Sequence, residues 1–187
     1  MTTDRSDAER PRDDGLGLAG GTVRLSPYSD RWPGAFGAMR DDVVRTISGL
    51  GHVATEHIGS TAVEGMASKP LIDLMVGLER LNQHEACVGP LESLGYAYKG
   101  EFGLPGRHFF VLGEPAIAHL HLVEHRGHFW RLNLRFRAIL REDPHARERY
   151  LAVKRSLAAA HANDRPAYTA GKDAIINELL REHGWEG

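Results

Sequence analysis

The stretch 57-HIGSTAVEGMASKPLIDLMVGL-78 decides the fold. Its last eight residues are apolar apart from Asp73 and Gly77 and read as a strand buried on both faces. Side chains alternate along a strand, so Leu71, Asp73 and Met75 share one face while Ile72, Leu74 and Val76 share the other. A carboxylate among such neighbours is costly unless something pairs with it, so Asp73 needs a partner or a ligand. Residues 52–58 read as a preceding strand, and Gly59-Ser60 ends it just before residues able to start a short helix. Backbone N–H groups in such a turn, together with a serine hydroxyl, are donors suited to phosphate oxygens. Lys69, extended before Pro70, lies four residues from Asp73 and can meet a phosphate as a point charge.

The same alternation applied to residues 117–123 puts His119 and His121 on one face. If that strand neighbours the one carrying Asp73, a carboxylate and two imidazoles converge. Imidazole is both the commonest metal ligand and an acid or base near pH 7. Four of the eleven histidines, at 119, 121, 125 and 128, fall within ten residues; His125 and His128 read as a solvated turn and helix start. A phosphate cradle, a lysine and a carboxylate suggest phosphoryl or nucleotidyl transfer. Competing signatures fail: Gly65 is followed by Met66 rather than Lys, Ile58 and Ala62 flank Ser60 where a nucleophile elbow needs glycines, and Gly-x-Gly-x-x-Gly and His-Glu-x-x-His are absent. Arg107 and His108 follow the glycine-rich turn Gly-Leu-Pro-Gly, which can bring a basic group over a pocket.

The remaining chain fits one domain around this centre. Its 187 residues suffice for a core, and 42% hydrophobic with 26% charged residues is neither a disordered nor a membrane composition. A net charge of −2 calls for no nucleic-acid partner. No apolar run approaches bilayer-spanning length, no signal-peptide core follows Met1, and the single cysteine, Cys87, fits a reducing, cytoplasmic setting as a small buried hydrophobe. Residues 1–20 read as a flexible tail, and 21–187 as the domain. A short strand is expected at 22–25, then a helix from about Asp30, with Asp30 as cap and Pro33 in the first turn. A helix at 82–94 with a kink or break at Gly89-Pro90, strands near 97–100, 108–112 and 117–123, and three terminal helices complete an α+β chain with a mixed sheet. Phe129, Leu132, Phe136, Ile139 and Leu140 mark the first of these helices; Tyr150, Val153, Leu157 and Ala160 the second; Ile175, Ile176, Leu179 and Leu180 the third. Trp32, Phe36 and Phe136 read as core.

The central run resembles the signature of the GrpB (UPF0157) family. The resemblance continues through VRLSPYSDRWPGAF (23–36), LESLGYAYKGEFGLPGRHFFVLG (91–113), HLHLVE (119–124), FRAILREDP (136–144) and DRPAYTAGKDAII (164–176). It implies a nucleotidyltransferase fold of the polymerase-β type with a helical C-terminal portion. In that superfamily a Gly-Ser turn holds the triphosphate and acids on adjacent strands bind divalent metal. Two acids one residue apart on one strand face are usual; here Asp73 fills the first position and Met75 the second. His119 and His121 are the natural substitutes, Glu124 a weaker one, and Ala138 stands where an aspartate is common. The resemblance implies a metal-dependent nucleotidyltransferase or related phosphate-handling enzyme acting on a nucleoside triphosphate and a small-molecule acceptor. Gly59, Ser60, Lys69, Arg107 and Lys172 would hold the phosphates, and Asp73, His119 and His121 would hold Mg²⁺, Mn²⁺ or Zn²⁺ and carry catalysis. Recurrence in the family also gives Arg137 a pocket role, and the module occurs fused to dephospho-CoA kinases. The alternatives are a non-catalytic nucleotide- or anion-binding module, and ligation or hydrolysis with His119 and His121 as acid and base.

Overall fold

The structure, a computed structural model, describes residues 15–186. Helix α1 (Trp32–Ile47) leads into strands β1 (His52–Ile58) and β2 (Ile72–Leu78), followed by α2 (His84–Ser93). Strands β3 (Tyr96–Tyr98), β4 (Arg107–Leu112) and β5 (Ala118–Glu124) complete one sheet in the order β1-β2-β5-β4-β3. β2 and β5 run parallel and every other neighbouring pair is antiparallel. The chain ends in α3 (His128–Glu142), α4 (Pro144–Ala160), α5 (Arg165–Ala170) and α6 (Asp173–Glu182). The α+β expectation with a mixed sheet therefore holds.

The sheet's two faces do different things. Ile72, Leu74, Val76 and Leu78 of β2 and Leu120 and Leu122 of β5 pack against Trp32, Met39, Val43 and Ile47 of α1 and Cys87 and Leu91 of α2. The other face carries Asp73, Met75, His119, His121 and Phe109 toward the C-terminal helices. Those helices have their own core of Ile139, Leu140, Tyr150, Ile175, Leu179 and Leu180, joined by Val63 and Met66 from the β1–β2 connection.

Several local expectations are corrected. Residues 22–25 form no strand: Val23 is tied by its N–H to the Ala162 carbonyl, and Ser26 pairs with Ser68 in an isolated bridge. The flexible-tail reading of 1–20 falls largely on residues outside those described, yet Leu18 is buried and bridges Ala116, so Leu18 belongs to the packed fold. Asp30 does not cap α1; Ser29 Oγ accepts the Arg31 N–H instead, while Pro33 does sit in the first turn. Gly89-Pro90 does not break α2, because Pro90 is accommodated within it. α5 was not expected at all. Among the described residues no helix is long and apolar enough to cross a membrane.

Candidate functional site

The parallel pairing of β2 with β5 sets Asp73 directly opposite His119 and Met75 opposite His121. Asp73 Oδ1 lies 3.2 Å from His119 Nδ1 and 3.6 Å from His121 Nε2. Burial alone would raise the Asp73 pKa, but the adjoining imidazoles outweigh it and hold the carboxyl well below the usual range. An ionised Asp73 takes the His119 Nδ1–H and leaves Nε2 as that ring's lone-pair nitrogen. Burial depresses His119 more than Asp73 raises it, so the imidazole is neutral near pH 7.

Gly59 closes over this carboxylate. Its φ of 70° and ψ of −174° belong to a region that essentially only glycine occupies, and a methyl group there would overlap Asp73 Oδ2. The strand therefore ends in a turn that must be glycine twice over, for conformation and for space. Ser60 starts a one-turn 3-10 helix, Ser60–Ala62, and shares a hydrogen bond with Tyr150 of α4.

Cations surround the carboxylate. The Lys69 ammonium lies 5.5 Å and that of Lys172 4.8 Å from the centre of the Tyr168 ring, so one aromatic faces both. Burial, then the charges of Lys172 and Arg165, push Lys69 down to about 8. Burial, then Lys172 and Lys69, push Lys154 down to about 7. Lys172 is lowered by burial, partly offset by Asp73. The field of Asp73 also reaches Arg107 and Arg165. Five cations thus feel the field of Asp73, and Lys172 feels that of Asp173 as well. Lys154, 2% exposed, spends one proton on the Ala67 carbonyl at 2.8 Å. In contrast, Arg107 Nε, Arg165 Nη2 and both His121 ring nitrogens are buried without a hydrogen-bond partner. Buried donors are rarely left so, and several around one point mark a place where a ligand supplies the acceptors.

The structure brings Gly59, Ser60, Lys69, Asp73, Arg107, His119, His121 and Lys172 to this centre. Glu124 stands apart, exposed at the far end of β5 opposite Leu78. Arg137 is a tie rather than a ligand group: its guanidinium binds Glu56, with a 2.8 Å contact, and the His57 carbonyl. Lys154, Arg165, Tyr150 and Tyr168 were missed. Lys154 had a signal, since it follows Tyr150 by four residues on the apolar stripe of its helix, where a lysine is out of place. Arg165 had none beyond its position in the family-like block 164–176.

The site fits an anion better than a resident metal. Both imidazoles are turned to one oxygen of Asp73, the second acid position is the buried Met75, and the surroundings are cationic. Among the described residues no three His, Cys, Asp or Glu side chains are arranged to hold an ion.

Fold and site together describe an α+β protein of nucleotidyltransferase-like fold in which cationic side chains gather about one carboxylate. Cid1 in complex with its short product ApU shares the fold at a TM-score of 0.51 and 14% identity, over 79% of this chain and 48% of that one. The conserved protein GrpB from Enterococcus faecalis superposes with a TM-score of 0.77 at 31% identity, over 87% of this chain and 100% of that chain. A UPF0157 protein of Pseudomonas aeruginosa is 35% identical over 163 residues, 84% of this chain and 66% of its own length. The glutamate-rich protein GrpB of Alkalihalophilus pseudofirmus is 31% identical over 173 residues, 89% of this chain and 99% of its own. The family model described as GrpB protein matches residues 22–182, and the chain belongs to the GrpB family.

Proposed function

We propose that this protein binds a nucleoside triphosphate and transfers its nucleotidyl group to a small-molecule acceptor. The observation that carries the reading is the set of buried, unpartnered cationic donors of Arg107 and Arg165, beside Lys69 and Lys172, around a single carboxylate. Polyphosphate oxygens complete such a set with charge-assisted hydrogen bonds, stronger than those a neutral ligand would make. Lys69, Lys172 and Arg165 hold the phosphates, with Gly59-Ser60 at the turn. Asp73 fixes the His119 tautomer so that Nε2 takes the proton of an attacking hydroxyl. The acceptor oxygen bonds to the α-phosphorus, the bond to the β-phosphate oxygen breaks, and pyrophosphate leaves into the cationic wall. A divalent ion, where one takes part, arrives with the phosphates; Mg²⁺, Mn²⁺ and Zn²⁺ are to be compared, and no step above depends on one.

A second reading keeps the binding and drops the transfer. Met75, fully buried where the superfamily places its second acid, favours it. Thermal unfolding with each triphosphate, with and without Mn²⁺, tests both, because a ligand of the native state raises the midpoint. A rise that Lys69→Gln/Arg165→Gln loses, with pyrophosphate release that His119→Gln loses, supports transfer. A rise without release supports the binding module. No rise with any triphosphate overturns both.

A further inference from the structure

The loop between β3 and β4 places an aromatic ring in solvent beside the cationic centre. Phe102 is 66% exposed and Leu104 47% exposed, whereas most large apolar side chains of the described chain are covered. Phe102 also holds a φ of 47°, a left-handed conformation that a bulky residue adopts only when its surroundings impose it. Those surroundings are specific. Arg107 Nη2 donates to the Glu101 carbonyl at 3.1 Å and the Phe102 carbonyl at 3.0 Å, and the Gly106 N–H reaches Glu101 Oε1 at 2.9 Å.

One face of the Phe102 ring is occupied. It stacks on Phe109 with ring centres 5.2 Å apart and planes 22° from parallel. Phe109 lies on the same sheet face as Asp73 and meets His119 edge-on at 4.8 Å. Arg107 spreads over Phe109 at 4.8 Å while the field of Asp73 reaches it. A ladder of rings therefore runs from the carboxylate to solvent and ends in a ring that is stacked on one side and largely exposed. Held thus, Phe102 has the form of a stacking platform at the mouth of an anion site.

We propose that Phe102 stacks the base of the bound nucleotide, with Arg107 fixing the loop through its Nη2 while its Nε is left for the phosphates. This rests on the reading of the centre as a triphosphate site, and it adds that the ligand carries a flat aromatic end as well as its phosphates. Stacking on an aromatic side chain tolerates any base, since each has a π-face, so discrimination among bases here is modest.

The test compares a nucleoside triphosphate with inorganic tripolyphosphate, which keeps the three phosphates, with at least the same negative charge, and has no base. Wild-type protein binds ATP about tenfold or more tightly than tripolyphosphate, the usual worth of one stacked base. Phe102→Ala removes that difference and leaves tripolyphosphate binding unchanged, and Phe102→Trp keeps it. Because the side chain is largely exposed, Phe102→Ala keeps the fold, and a far-ultraviolet spectrum and urea midpoint equal to wild type check this. Equal wild-type binding of the two ligands, or a preference that survives Phe102→Ala, overturns the platform and leaves the phosphate site standing. Binding of neither overturns the triphosphate reading and the platform with it.

Discussion

At Gly59 and Asp73 two residues decide one geometry, because the turn can lie over the carboxylate only where no Cβ stands between them. Gly59→Ala must either stay in this backbone region, at a cost of about 1–3 kcal/mol, and push Asp73 away from His119, or shift the turn off the carboxylate. Guanidinium-chloride unfolding is expected to show a loss of at least that size, accompanied by a rise in the Asp73 pKa followed by NMR; an unchanged midpoint would contradict the close approach. The lysines make a second prediction. Lys69 and Lys154 have pKa values of about 8 and about 7 in the folded chain, against an ordinary value near 10.5. Between those folded values and 10.5 the unfolded chain binds more protons than the folded one, so these two groups make stability rise with pH across that window. A bound polyphosphate restores the charged forms, so binding near pH 8 takes up protons and weakens as pH rises further. Calorimetry in two buffers of different ionisation enthalpy measures the uptake, and Lys69→Met is expected to reduce it. No uptake at pH 8 would mean that the phosphates do not meet these ammonium groups.

Among the elements, α3 is fastened to the turn side of the sheet by two arginines. Arg137 holds Glu56 and the His57 carbonyl of β1, while Arg141 gives Nε and Nη2 to the Ala62 carbonyl. Arg137→Met leaves a buried carbonyl without its charged donor, and urea unfolding is expected to show about 1–3 kcal/mol lost. A loss below about 0.5 kcal/mol would class the contact with ordinary surface pairs. The sheet was legible because its strands are short and glycines stand near their ends: the expected 52–58 coincides with β1, and 71–78 differs from β2 by one residue. That Asp73 and His119 share a face was legible too, from period-two alternation. Their adjacency was not, since β2 and β5 lie far apart in sequence and only a parallel crossover pairs them. The expected strand at 22–25 failed because Val23 and Ser26 find their partners in Ala162 and Ser68, contacts that no local pattern announces. The cationic wall was half legible: Lys69 and Lys172 stand in family-like blocks, whereas Lys154 and Arg165 become site residues only when α4 and α5 fold back over the sheet.

For the whole molecule, the centre lies where two differently built halves meet. Asp73, His119 and His121 stand on the sheet, whose other face packs on α1 and α2; Lys154, Arg165 and Lys172 come from the C-terminal helices with their separate core. The site thus concentrates like charge from the helices against a single opposing charge from the sheet. Without an anion, Lys69, Lys172 and Arg165 repel one another across the junction, and each lowers the proton affinity of a neighbour. Segments that carry such unrelieved repulsion belong to the low-stability end of a fold and open before its core does. Tripolyphosphate should therefore slow amide hydrogen exchange on both sides at once, at residues 59–62 and at 165–176. With ligand at one hundred times Kd, amides that exchange by opening this junction slow by up to about 100-fold, while those of α2 change little. Arg165→Gln is expected to abolish the effect at both segments together, because one bound anion couples them. Protection confined to the sheet side would show instead that the helices contribute no binding charge, and the cationic wall would then be only a feature of how this chain packs.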